Sequence, residues 1–216
     1  MAPQTRQRIL DCALAMFNAQ GEPNVTTNHI ADELEISPGN LYYHFRNKED
    51  IIHSIFDQYA RHLSESFTPA RSHEIKLEDL MGYLDAIFYL MWQFRFFYAN
   101  LPDILSRDEP LQHKYLKAQE QLRAAVEALL RSLREGGIID VSDEDLPDLG
   151  QTIKMVVTCW IPFQIAQAPA TRITKPLLYQ GVLRVLFLLR PYVQPQVLAQ
   201  IRQLEQHYHQ LAQPAG

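Results

Sequence analysis

Apolar residues recur at helical spacing along almost all of this chain, and strand-like alternation never persists over a useful length. That pattern predicts an all-α fold. From Thr5 to Gln20, the residues Ile9, Leu10, Ala13, Met16 and Phe17 share one face, and Gly21 follows as a stop. "TTNHIADEL" offers Thr26 or Thr27 as a cap and presents Ile30, Ala31 and Leu34 for burial, which predicts a short second helix. Glu35-Ile36-Ser37 connects it to a third, opened by Ser37 as N-cap and Pro38 at the first helical position. A fourth starts near Asn47, has Glu49 and Asp50 in its first turn, and runs through Ile51, Ile55, Phe56, Tyr59 and Leu63. The polar stretch 68–76 reads as a loop. Further helices are expected over 77–99, 109–135, 144–167, 174–191 and 194–212, with breaks at Pro102, Gly136-Gly137, 168–171 and Pro195.

The totals narrow the function. With 216 residues, 47% of them hydrophobic, the chain can bury a sizeable core. Its formal charge of −5 argues against holding polyanions by bulk charge, so any nucleic-acid contact must be local. Cys12 and Cys159 lie far apart without a CxxC, which suggests neither disulfide framework nor zinc site and fits a reducing cytoplasm. The N-terminus lacks the apolar core of a signal peptide, and the most apolar runs are too short to span a bilayer. A soluble cytoplasmic protein without membrane contact is expected.

Two short helices joined by a tight turn, with a longer helix before them, are the plan of a helix-turn-helix. On a helical wheel of the third helix, Leu41 and Phe45 face the core with Pro38 beside them. Gly39, Asn40 and Tyr43 lie opposite, and Tyr42 and His44 project to the flanks. A helix in a major groove needs that distribution, with short groups toward base edges and hydrogen-bonding groups toward the phosphate walls. Lys48 at the start of the fourth helix, and Thr26 or Thr27 at the start of the second, are candidate phosphate contacts; Asn28 is a second base-edge candidate.

"RILDCALAMFNAQG", "TTNHIADEL" and "ISPGNLYYHFRNKEDII" together closely resemble the N-terminal domain of the TetR/AcrR family of transcriptional regulators, including the spacing between blocks. The resemblance covers about the first 55 residues. It implies phosphate contacts at Thr26 or Thr27, Tyr42, His44 and Lys48, and base reading from Asn28, Pro38, Gly39, Asn40 and Tyr43, with Ser37 opening the reading helix. It divides the chain into a DNA-binding domain over 1–47 and a helical effector-binding and dimerisation domain over 48–216. The implied function is a homodimeric repressor on a palindromic operator in double-stranded DNA, released by a small, largely apolar effector. Two departures stand out. Glu35 occupies the turn position where the family commonly has glycine, which predicts a left-handed residue there. Glu22-Pro23 replaces the usual aromatic after Gly21, so the connection between the first two helices is expected to differ. Residues 1–50 hold four Lys or Arg against seven Asp or Glu, which predicts a shallow salt dependence of DNA binding.

Between Tyr83 and Tyr98, sixteen residues carry eight of the chain's 22 aromatics, so that helix must be enclosed as dense core or as a cavity wall. Arg95 amid them needs a partner, either an internal carboxylate such as Asp103 or Asp85 or the carboxylate of an effector. Asn100, His113, Tyr115, Thr158 and Cys159 are the other polar effector-site candidates, with Trp92, Phe96, Trp160 and Phe163 as apolar lining. Parts of 146–166 and 174–190 are assigned, on the family's pattern, to a four-helix bundle with a second copy. No GxSxG, phosphate-binding glycine loop or HExxH occurs, and His207 and His209 point to different faces. No enzyme, metal site or cofactor is expected. The alternative is a DNA-bound adaptor or activator whose larger half binds a protein partner.

Overall fold

The computed structural model describes residues 2–67, 77–168 and 172–214. The predicted loop over 68–76 and most of the break at 168–171 lie outside the described residues. Among the described residues, ten α-helices follow in order: α1 (Ala2–Gln20), α2 (Thr27–Glu33), α3 (Pro38–His44), α4 (Lys48–Ser66), α5 (Leu77–Gln93), α6 (Arg95–Ser106), α7 (Glu109–Glu135), α8 (Leu146–Gln167), α9 (Lys175–Leu189) and α10 (Leu198–Leu211). The only β pairing among those residues is one antiparallel bridge, Ile139 to Val193. The all-α expectation holds.

The caps anticipated from sequence form. Thr26 accepts from the His29 N–H, Ser37 from the Asn40 N–H and Asn47 from the Asp50 N–H, each satisfying a donor left open at a helix start. Glu35 is left-handed, with φ 54°, and the next N–H, of Ile36, reaches back to the Ala31 carbonyl at 3.0 Å to close α2. An L-residue there carries strain of about 1–2 kcal/mol, while glycine would loosen the unfolded chain by about 0.5–1 kcal/mol. Glu35→Gly should therefore raise unfolding free energy by up to about 1 kcal/mol in urea titration. A loss of stability would mean that the Glu35 side chain contributes something its geometry does not reveal.

One expectation fails. The single helix over 77–99 is two, α5 and α6, broken at Phe94, and Pro102 lies inside α6 instead of ending a helix. The break is held from outside. Asn18 of α1 donates to the Gln93 carbonyl at 2.8 Å and accepts from the Phe96 N–H at 3.0 Å, which replaces helix hydrogen bonds lost at the junction. A contact 75 residues away in sequence is invisible to local periodicity.

One apolar cluster runs from Ile9, Phe17, Ile30 and Leu41 through Ile51, Phe56 and Tyr59 of α4 to Phe94, Phe97 and Ile161. A second joins α7, α8, α9 and α10 around Leu130, Leu146, Val182, Leu186 and Tyr208. Helix α4 thus belongs to the core of the first three helices and to that of the larger half.

Candidate functional site

The α2–α3 unit presents its polar side chains on one face. Leu41 is fully buried and Phe45 nearly so, while Tyr42 is 48% and Tyr43 81% exposed. Asn28, Pro38, Gly39 and Asn40 are exposed as well, so Pro38 lies on the outer surface and not beside Leu41 in the core as the wheel suggested. A Cβ built on Gly39 would meet nothing closer than Ser37 Oγ at 4.0 Å. Neither packing nor backbone conformation requires glycine there. The hydroxyls of Thr27 and Tyr42 lie 3.2 Å apart, joining the start of α2 to the flank of α3. Together with Thr26, Arg46, Asn47 and Lys48 they line a shallow cleft of about 270 Å³. His44 is partly buried, its ring edge-on to Tyr43.

Lys48 departs from expectation. Its ammonium donates to the Glu22 and Val25 carbonyls at 3.1 Å each and lies 2.8 Å from Glu22 Oε1 as an ion pair, so two of its protons and its charge are engaged within the protein. The one advance signal was the unusual Glu22-Pro23. That segment forms a single turn of 3-10 helix, Glu22–Asn24, with the Glu22 side chain wholly buried. Its other carboxylate oxygen accepts from Arg107, the C-cap of α6, at 2.7 Å. Next in sequence, Asp108 caps α7 and meets His53 of α4 at 2.7 Å. The α6–α7 turn therefore holds the segment before α2 through Glu22 and helix α4 through His53.

The ten effector candidates do not converge. Phe96 packs on Phe17, with ring centroids 5.2 Å apart, and Asn100 is bonded to the Phe96 carbonyl. Tyr115 packs on Phe56 and Phe97, and His113 is exposed. Arg95 lies over Trp92, 4.2 Å from the ring centre, and donates to its carbonyl. Asp103 pairs with Arg107 and Asp85 with Tyr208, so neither of the carboxylates considered for Arg95 reaches it. Burial lowers the Arg95 pKa, but the residue keeps part of its surface in water.

Only Thr158 of the ten reaches the interior cavity. This void of about 40 Å³ lies between α4, α5, α6, α7 and α8, walled by Leu63, Leu90, Leu122 and Val157 and carrying Tyr59, Tyr98, Gln119 and Lys154 as polar groups. A cleft of about 190 Å³ between α4 and α7 shares Leu63, Phe67 and Leu122 with it. Cys159, Trp160 and Phe163 instead line an apolar groove of about 430 Å³ with Met155, Phe187 and Leu188, on the outer face of α8 and α9. Met155, Phe163 and Phe187 are each more than half exposed.

Two family models match in succession: "Bacterial regulatory proteins, tetR family" over residues 9–55 and "Bacterial transcriptional repressor", the TetR model, over residues 58–201. The chain belongs to the TetR family. A TetR-family transcriptional regulator from Marinobacter aquaeolei VT8 is 36% identical, superposes with a TM-score of 0.86, and matches over 94% of this chain and 98% of that one. The uncharacterized HTH-type transcriptional regulator TtgW of Pseudomonas putida is 36% identical over 87 residues, 40% of this chain and 65% of that protein. The SmeT–triclosan complex shares the fold at 18% identity, with a TM-score of 0.60 over 90% of this chain and 94% of that one. This TetR-family chain is therefore a DNA-binding transcription regulator and not an enzyme. Among the described residues no helix is long and apolar enough to cross a membrane.

Proposed function

We propose that the protein is a cytoplasmic homodimeric repressor that reads a palindromic operator with α3 and leaves it when a small, largely apolar effector enters the cavity between α4, α5, α6, α7 and α8. The observation that carries this reading is the exposed α3 face, where Gly39, Asn40 and Tyr43 stand free over a buried Leu41 anchor. Gly39, which the fold itself does not require, lets the helix start approach base edges closely. Tyr42 and Thr27, tied to each other, and Thr26 face one phosphate wall; His44 faces the other. Asn28 and Pro38 complete the base-facing set, while Ser37 fixes the start of α3. Lys48 acts indirectly, by holding the residues before α2 through its bonds to Glu22 and Val25.

The apolar groove on α8 and α9 supports pairing with a second copy as a four-helix bundle, because that much exposed aromatic and aliphatic surface is costly in water. The cavity and its neighbouring cleft favour an effector over a protein-binding adaptor. Residues of α4 line both, and the same helix enters the core beneath α3, so ligand entry can change the angle between two reading heads. The description of the matched C-terminal family as repressors supports the sign, and a triclosan complex of a protein with this fold fits an apolar ligand.

Operator titrations on a site found by footprinting test the reading. Tyr42→Phe should weaken all sequences about equally, whereas Tyr43→Ala should cost about 1–3 kcal/mol and relax preference at one position. Identical profiles for the two variants would remove the distinction between phosphate contact and reader. The same titrations should show a shallow dependence on salt, since Lys48 is already paired within the protein.

A further inference from the structure

The inward stripe of α8 consists of Gly150, Ile153, Lys154, Val157, Thr158 and Ile161, and Lys154 is the one charge on it. Its ammonium donates to the Gln119 carbonyl at 3.2 Å, and among the described residues no carboxylate reaches ion-pair distance. The nearest acidic groups are already engaged: Glu120 and Glu127 both clasp Arg123, and Glu127 also meets Arg131. Burial and the repulsion of Arg123 lower the Lys154 pKa, with Glu120 and Glu127 opposing.

At the other end of the cavity the Tyr59 and Tyr98 hydroxyls face each other at 3.3 Å, both nearly inaccessible to water. Burial pushes the Tyr98 hydroxyl up to about 12 and raises that of Tyr59 as well, so both keep their protons at neutral pH. One hydroxyl donates to the other. The second proton then has no acceptor among the described residues. The cavity lining thus offers a cation without a direct ion-pair partner, a spare buried O–H and the Thr158 hydroxyl, and it contains no carboxylate among the described residues. Between these ends lie Leu63, Phe67, Ile87, Leu90, Leu122 and Val157.

We propose that the effector is an amphipathic organic carboxylate, its anion held by Lys154 and its apolar body entering the cavity toward the Tyr59–Tyr98 pair and extending into the adjoining cleft between α4 and α7, since the void of about 40 Å³ holds only part of such a chain. This rests on the effector reading above and adds the chemical class of the ligand. A basic ligand would meet a cation with no carboxylate in the cavity lining to offset it. A neutral one such as an alcohol could accept a hydrogen bond from Lys154 but would leave its charge unpaired. A carboxylate supplies the ion-pair partner that Lys154 lacks, and a charge-assisted hydrogen bond to a partly buried ammonium is worth roughly tenfold in affinity.

Isothermal titration of the full chain with octanoate, octan-1-ol and octylamine tests the assignment. Octanoate should bind at least about tenfold more tightly than octanol, and octylamine should bind least. Lys154→Met should erase the preference for octanoate while leaving octanol affinity nearly unchanged, and Leu122→Trp should block both. If Lys154→Met melts early, Lys154→Gln serves in its place. Octanol binding as tightly as octanoate, with both blocked by Leu122→Trp, overturns the carboxylate assignment and leaves the effector reading standing. If no probe binds, or Leu122→Trp blocks none, both fail.

Discussion

Glu22→Ala should lower unfolding free energy by about 2–3 kcal/mol in urea titration. Removing one partner of a buried ion pair costs about 3–5 kcal/mol when the remaining charge stays buried. Here the remaining charges keep some access to water: the Lys48 side chain is 20% and that of Arg107 38% exposed. That access brings the expected loss below the upper figure. Added salt should change the loss little, because a carboxylate with no accessible surface is poorly screened. Glu22→Gln should fall between wild type and Glu22→Ala, since an amide oxygen can still accept from Arg107. Operator affinity should drop with stability, because the segment that Glu22 anchors leads directly into the Thr26 cap. Unchanged stability in Glu22→Ala would mean that the triad is an ornament of the folded state and that the α6–α7 turn does not hold the reading head.

Gly181→Ala should cost about 1–3 kcal/mol, although alanine is normally the better helix former by about 1 kcal/mol. A Cβ at this position would lie 2.7 Å from Trp160 Cδ1 and 3.0 Å from Cγ and Nε1. The indole cannot move aside cheaply, because its N–H donates to the Leu177 carbonyl at 2.8 Å. The ring must tilt or the α8–α9 crossing must open, and overpacking wins over helix propensity. Since Trp160 also lines the outer apolar groove, sedimentation should show weaker self-association alongside the lower melting point. Trp160→Phe in the same chain should relieve most of the penalty. A gain of about 1 kcal/mol in the single variant, the propensity value, would show that the contact relaxes freely.

The helix-turn-helix was legible because its signals are local. Caps at Thr26, Ser37 and Asn47, the proline opening α3, and the burial of Ile30, Leu41 and Phe45 each depend on a few neighbouring residues. The left-handed Glu35 was readable only through the resemblance, as the position where the TetR family commonly has glycine. The larger half resisted. An aromatic-rich run says that a helix is enclosed without saying by what, and Trp92, Phe96, Tyr115 and Trp160, alike in residue type, point to different neighbours. Lys154 lies within an apolar stripe at helical spacing, where a single charge is the only local signal of the cavity.

The all-α class, most helix boundaries and the face that α3 presents follow from the order of residues alone, because helix periodicity and capping are written within a turn or two of chain. Long-range packing decided the rest: where helix 77–99 breaks, which side of α8 faces a cavity and which a groove, and that Lys48 is spent on Glu22. Those outcomes depend on Asn18 meeting Gln93, Trp160 meeting Gly181 and Glu22 meeting Arg107. Each pair is distant along the chain, and packing and burial set its energy where propensity has no say.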